Sequence, residues 1–452
     1  MIHAQRNFWI ANAVNALFFS GYWILKFPLA FILSQQGIPL HDAYALTTTS
    51  SIAFALCSIA LTWILKEYRN QKHLFLLGII LNLLATVLLD TRYYNLEIMG
   101  LSCYVIGGSL YFFNITLLFN KQFSTARERL HGNYLAQIGL NGGAFVGTIV
   151  FLLSASTDHH YFADSIGFML SAFLLLCISY RFLKDNTASC QQKKRLYCCC
   201  FLLFLLIVFC LQHTSITRWI ILCVFLIAII AAIMHATRHR DTGYFIFIVL
   251  IVLFSFPFWI GNTILYNQFF VLLHNHVSLM IGLPATFIIA LDPLGNIVFG
   301  LLWVRMMRNN DEKPYLNLQM GLMLMAIAFG LLSLELWLHH ANATISFIYP
   351  SITLLLFSFA QFLVQPTMHA QLSHLIKNHQ HMIFALGILR AVRAVSAICA
   401  FYLINITVTP NLKKPLLPDA TLYFSMTVLT SIALIIFLVI KSKLINFEKT
   451  VY

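Results

Sequence analysis

The chain has 452 residues, 60% hydrophobic and 10% charged, with a formal net charge of +13. Soluble domains carry about 25% charged residues, so this composition excludes a soluble globular protein. The apolar runs are about 20 residues long and do not alternate, which excludes a membrane β-barrel and leaves transmembrane helices.

Taken in order, the apolar runs predict spans at 8–34, 44–65, 74–91, 97–120, 134–154 and 165–183, then 197–213 and 218–236. Six more follow at 243–273, 280–304, 315–338, 346–373, 382–405 and 420–441. The expected fold class is an all-α polytopic membrane protein of about 14 helices. Residues 1–183 form an N-terminal six-helix bundle, 184–242 a linker with an inserted helix pair, and 243–452 a C-terminal six-helix bundle. Two six-helix halves are the plan of the major facilitator fold, in which substrate binds at mid-depth and access alternates. The run after Met1–Asn7 is too long for a signal peptide and is expected to be the first span.

The basic loops set the orientation. Of 28 Lys and Arg residues, 21 fall on the side of the N-terminus and four on the other, namely Arg92, Arg218, Lys413 and Lys414. Basic loops face the cytoplasm, so both termini are expected there; a bacterial inner membrane is implied by the short loops together with the family resemblance described below. The same loops account for the positive charge, and no nucleic-acid partner is expected.

Few charges are deeply embedded in the spans: Lys26, Asp292, Arg390 and Arg393; Glu335 also falls in a span, near its outer end. A charge in hydrocarbon costs roughly 2.5 kcal/mol or more and so faces a partner or a cavity. Asp292 and Arg393 each lie about 11 residues into their spans, which at about 1.5 Å per residue puts both near mid-depth. Asp292 is expected to pair with Arg390 or Arg393, tying two helices together. The remaining guanidinium would recognise carboxylate or phosphate. Three positive charges against one negative favour an anionic substrate.

Polar side chains complete the expected cavity: Asn12, Asn15, Tyr22, Asn114, Asn141, Asn267, Gln268 and Gln361, with Trp259 and Tyr266 as walls. Each amide has an alternative role, hydrogen bonding between helices. Pro257, Pro284, Pro293 and Pro366 are expected to kink their helices. The loops hold no nucleophile motif, no phosphate loop and no cysteine or carboxylate set beside their histidines, so no enzyme activity, cofactor or metal is expected.

Four segments resemble the proton-coupled oligopeptide transporter family of the major facilitator superfamily. Gly107 to Phe123, with Asn114-Ile115-Thr116, is similar to the family's fourth-helix segment. Ile138-Gly139-Leu140-Asn141-Gly142-Gly143-Ala144-Phe145 is close to its G-I-N-L-G-A-F. Ile281 to Trp303, with Asp292-Pro293-Leu294, resembles its eighth helix, and Gln361 to Pro366 its G-E-x-x-x-x-P. The inserted helix pair is also typical of bacterial members. Against the family pattern, Asn12, Asn15 and Ala16 stand where it has E-x-x-E-R, Phe112 where it has lysine, and Asn267 and Gln361 where it has glutamates. The resemblance implies a secondary transporter on this scaffold with altered coupling or substrate. The expected partners are the lipid bilayer and a small molecule: an anionic metabolite, a carboxylate siderophore, or a di- or tripeptide. A monomer is expected. A non-transporting receptor or scaffold is the reading from a different class.

Overall fold

A computed structural model describes residues 2–26, 28–64, 70–122, 126–156, 161–181, 183, 189–239, 242–278, 285–307, 314–339, 344–375, 379–407 and 416–451. Side chains 113–122, 126–134, 369–375 and 379–387, and those of Asn267 and Arg390, are among those outside this description. The helices are α1 Ile2–Lys26, α2 Leu29–Gln35, α3 Leu40–Ile64, α4 Gln71–Leu89, α5 Tyr94–Gln122, α6 Ala126–Ser156, α7 Tyr161–Ser179 and α8 Cys190–Gln212. They continue with α9 Thr214–His239, α10 Thr242–Leu250, α11 Phe256–His276, α12 Leu291–Met307, α13 Pro314–Leu338, α14 Ile348–Leu375, α15 His379–Thr407 and α16 Leu417–Val451.

A π-helical turn, Ile251–Ser255, joins α10 to α11. With the short α2 set aside, the described residues therefore form fourteen long helical segments, one for each expected span. Ten of the described helices are long and apolar enough to cross a membrane. The protein is an all-α, multi-pass membrane protein. Two two-residue strands, β1 Val277–Ser278 and β2 Ile345–Ser346, pair in parallel; nothing in the apolar pattern marks them.

The chain forms two compact units. Unit 1 is Met1–Thr217 with Gly300–Arg305, and unit 2 is Arg218–Phe299 with Met306–Tyr452. The inserted helix pair is divided between them. In unit 1, α8 packs on α3 and α5, and the Tyr197 hydroxyl lies 3.0 Å from the His73 ring nitrogen. In unit 2, the guanidinium of Arg218, at the start of α9, sits 4.2 Å from the Phe401 ring centroid of α15.

Unit 1 is built on a close approach of α1 to α6. Gly139, Gly143 and Gly147 recur every fourth residue on α6 and face Asn12, Ala16 and Ser20 of α1. A Cβ at Gly143 would strike the Ala16 carbonyl, and one at Gly147 would lie 2.5 Å from the Ser20 carbonyl. Between apolar helices in lipid there is no hydrophobic drive, so small residues that bring backbones together supply the attraction. Gly139 and Gly143 of the segment resembling G-I-N-L-G-A-F thus have a packing role. On the other side of α1, Ser165 of α7 donates to the Gly21 carbonyl at 2.8 Å. At the end of α7, the Lys72 ammonium donates to the carbonyls of Tyr180 and Leu183 at 3.0 and 2.9 Å. A cation there meets the negative end of the helix dipole and its unpaired carbonyls.

Overpacking a tight contact costs about 1–3 kcal/mol or more. Gly147→Val is expected to lower the melting temperature of the detergent-solubilised protein clearly, whereas Gly142→Ala, where an added Cβ meets nothing within 4 Å, should leave it nearly unchanged. Equal effects would show that α1 and α6 are not held this closely.

Candidate functional site

The expected site residues of unit 2 gather around Asp292. The span that reads as one continuous helix is not uniform: Ala285–Ala290 is a 3-10 helix, and the α-helix begins only at Leu291. Asp292 therefore falls in the first turn of α12, where a negative charge is favoured. Pro293 is tolerated in the same turn because first-turn N–H groups have no intrahelical partner.

Asp292 is only 3% exposed, and its donors come from three helices. The Tyr266 hydroxyl of α11 donates to one carboxylate oxygen at 2.5 Å. On the other oxygen, Ser358 Oγ of α14 lies at 2.7 Å and Asn296 Nδ2, one turn along α12, at 3.3 Å. Ser358 has a single proton and also lies 2.7 Å from the Leu354 carbonyl, so its donation to Asp292 competes with a bond inside its own helix. Asn296 Nδ2 has two protons and also reaches Gln361 Oε1 at 3.5 Å.

Among the described residues, these donors to Asp292 are neutral. Among the described residues, Arg393 of α15 places its guanidinium over the Trp259 indole of α11, 4.1 Å from the ring centroid. The side chain of Arg390 lies outside the described residues. Trp259 and Tyr266 are seven apart, on one face of α11, so this helix carries both the stack and the hydroxyl on Asp292. The π-helical turn lies just before it and Pro257 is its second residue, and Ser396 of α15 donates to the Phe256 carbonyl there at 3.1 Å. Bulges of this type re-aim the following residues.

Gln268 is not in this group. Its amide donates to Asp419 in the first turn of α16 at 3.0 Å, and both are buried. Asp419 was missed in the sequence because it sits at a span boundary behind Pro418. Glu335, expected to reach water, is 3% exposed, and the His339 ring nitrogen lies 3.4 Å from its carboxylate.

In unit 1, the expected polar set is largely committed to packing. Asn12 and Asn15 donate to the carbonyls of Leu135 and Ala136 on α6, both at 3.4 Å. Asn15 also accepts from the Tyr111 hydroxyl at 2.9 Å. Asn141 donates to Gln137 one turn back at 2.9 Å. Tyr22 is 2% exposed and stacks on Tyr104, with centroids 4.6 Å apart. Lys26, in the last turn of α1, is half-buried with its ammonium 4.7 Å from the Trp23 ring centroid. Asn114 and Asn267 are outside the described side chains.

Removing one donor from a buried carboxylate leaves part of its desolvation uncompensated, at about 1–3 kcal/mol. Tyr266→Phe is therefore expected to lower the thermal stability of the purified protein, and Asp292→Asn in the same background to recover part of the loss. Unchanged stability in Tyr266→Phe would show that the hydroxyl does not hold the carboxylate.

No protein-family model matches the chain, and no curated protein sequence matches it. Solved structures do. The chain superposes on a bacterial homologue of the human drug peptide transporters PepT1 and PepT2 with a TM-score of 0.84, covering 99% of this chain and 100% of that one at 14% identity. Tetrameric PepTSo2 matches with a TM-score of 0.84, covering 98% and 99% at 14% identity. A POT family transporter in complex with 5-aminolevulinic acid matches with a TM-score of 0.80, covering 97% and 96% at 15% identity. The chain has the fold of these oligopeptide transporters, the major facilitator fold with its inserted helix pair.

Proposed function

We propose that the protein is a secondary transporter that moves a small, carboxylate-bearing solute across a bacterial inner membrane by alternating access, with both termini cytoplasmic. The observation that carries this reading is the Arg393 guanidinium on the face of Trp259, in the unit that also holds the Asp292 set. A guanidinium laid on an indole keeps its N–H fork at the edge, the geometry that receives a carboxylate through two parallel bonds. Arg393 is the substrate anchor in this reading. Trp259, Tyr266 and Gln361 line its surroundings, and Asp292 fixes Tyr266. Lys26 is the corresponding cation of unit 1.

Neighbouring folds support the substrate class. They include transporters solved with 5-aminolevulinic acid, with sulfate and with a thioalcohol-conjugated peptide. Short peptides carry the required carboxylate and come first among candidates, with polycarboxylates second. Each chain holds its own site residues, so transport needs no second copy.

The test is uptake by the protein reconstituted in proteoliposomes, offered labelled dipeptides, tripeptides and polycarboxylates. A charge-assisted hydrogen bond contributes about 1.5–3 kcal/mol, so Arg393→Gln should cut uptake at least about tenfold. Arg393→Lys should fail to restore it, because an ammonium lacks the planar fork. Full uptake in Arg393→Gln would sink the anchor. Absence of uptake by the unmodified protein for every carboxylate would favour a receptor or scaffold.

A further inference from the structure

Unit 1 contains a cavity of about 520 Å³ that includes none of the candidate site residues above. It lies where α2, α4 and α8 end and α3, α5 and α9 begin, the end of the unit opposite its basic loops. The lining combines Gln36 and Asp42, Arg92 and Glu97, and Gln212 and Thr214 of the α8–α9 turn. That volume is in the range of small-molecule sites.

Two lining groups call for a hydrogen-bond donor. Glu97 is 2% exposed, and among the described residues no hydrogen-bond or ion-pair partner reaches its carboxylate. Gln36 spends its amide nitrogen on the Leu89 carbonyl at 2.7 Å, while its buried Oε1 has no partner. That leaves the Gln36 oxygen a buried acceptor without a donor, which is costly and uncommon. Asp42, exposed on the rim, adds a third acceptor group. Across the lining, Arg92 is also exposed, and its φ of 57° is a left-handed conformation that costs a non-glycine residue about 1–2 kcal/mol.

We propose that this cavity binds a small zwitterion through its primary ammonium group. Glu97, Gln36 Oε1 and Asp42 receive the three N–H donors of the ammonium. Arg92 on the rim faces the anionic group of the same molecule. A neutral ligand would leave the Glu97 carboxylate without a counter-charge, and an anion would face two carboxylates against one guanidinium. The required chemistry exists in two sources, a soluble amino acid-like solute and the ethanolamine phosphate headgroup of a lipid.

The test is a melting-temperature titration of the full-length, delipidated protein in detergent with phosphoethanolamine, glycine, phosphocholine and inorganic phosphate. A ligand of the folded state raises the transition with the logarithm of its concentration. Phosphoethanolamine should do so, and phosphocholine and phosphate should not, because neither carries N–H donors. Glu97→Gln should raise the half-effect concentration at least about tenfold, the loss expected for a charged hydrogen bond. It should leave the ligand-free transition unchanged or higher, since it removes a buried charge without a partner. Asp42→Asn and Arg92→Gln, both exposed, should each weaken the response without touching the fold. An equal response to glycine identifies a soluble zwitterion as the occupant; a response to phosphoethanolamine alone identifies the lipid headgroup. Equal shifts with phosphocholine, no shift with any amine, an unaltered response in Glu97→Gln, or a destabilised ligand-free Glu97→Gln would each overturn the proposal.

Discussion

A carboxylate inside an apolar slab has to be met by donors, and unit 2 is arranged around that requirement. Asp292 draws Tyr266 from α11, Ser358 from α14 and Asn296 from its own helix. Any displacement of α11 or α14 relative to α12 leaves an oxygen short of a donor, which makes the carboxylate a register mark for three helices. Neutral donors suit this task better than a single arginine would. They divide the charge among several dipoles, and each side chain brings its own helix into the arrangement. The guanidinium of Arg393 is placed on an aromatic face, over the Trp259 indole.

Unit 1 solves the same problem with backbone instead of charge. Three glycines let α6 approach α1 until side-chain amides reach carbonyls of the facing helix. An asparagine that donates to a carbonyl on α6 removes the choice between helix contact and cavity wall. Asn15, at 1% exposed, makes such a contact with the Ala136 carbonyl. Polar residues at membrane depth therefore divide into two populations here. One set, in unit 1, joins helices; the other, in unit 2, surrounds the carboxyl group of Asp292.

The helices were legible because hydropathy over some 20 residues is a strong signal in a membrane chain. All fourteen long segments follow from it, including the inserted pair. What escaped the sequence were features that depend on partners. Ser358 reads as an ordinary helix serine bonded to its own backbone, and its contact with Asp292 is visible only in three dimensions. The change from 3-10 to α-helix at Leu291 escaped for a related reason: Pro284 and Pro293 mark the segment as irregular without saying where the regular helix restarts. Charge counting found Asp292 but not its hydroxyl and amide donors, because formal charges can be paired on paper whereas such donors cannot be ranked without distances. Glu97 was passed over because its position at a span edge reads as solvent-exposed.

An identity of 14% beside a TM-score of 0.84 separates what specifies this fold from what specifies its chemistry. Apolar length, small residues at crossings and basic loops leave most side chains interchangeable, so the scaffold survives wide substitution. Ionisable positions are not interchangeable, and here the resemblance to the oligopeptide transporters breaks. Asn12 and Asn15 stand where that family has acids, and both donate to carbonyls. A carboxylate in either place would set acceptor against acceptor across the α1–α6 contact unless it were protonated or the helices moved apart. An amide, which both donates and accepts, has no such requirement. The exchange does more than remove a titratable group: it turns a position able to register protonation through helix separation into one that holds the two helices together at any pH. In unit 2, by contrast, Asp292 keeps an ionisable oxygen within one hydrogen bond of Tyr266.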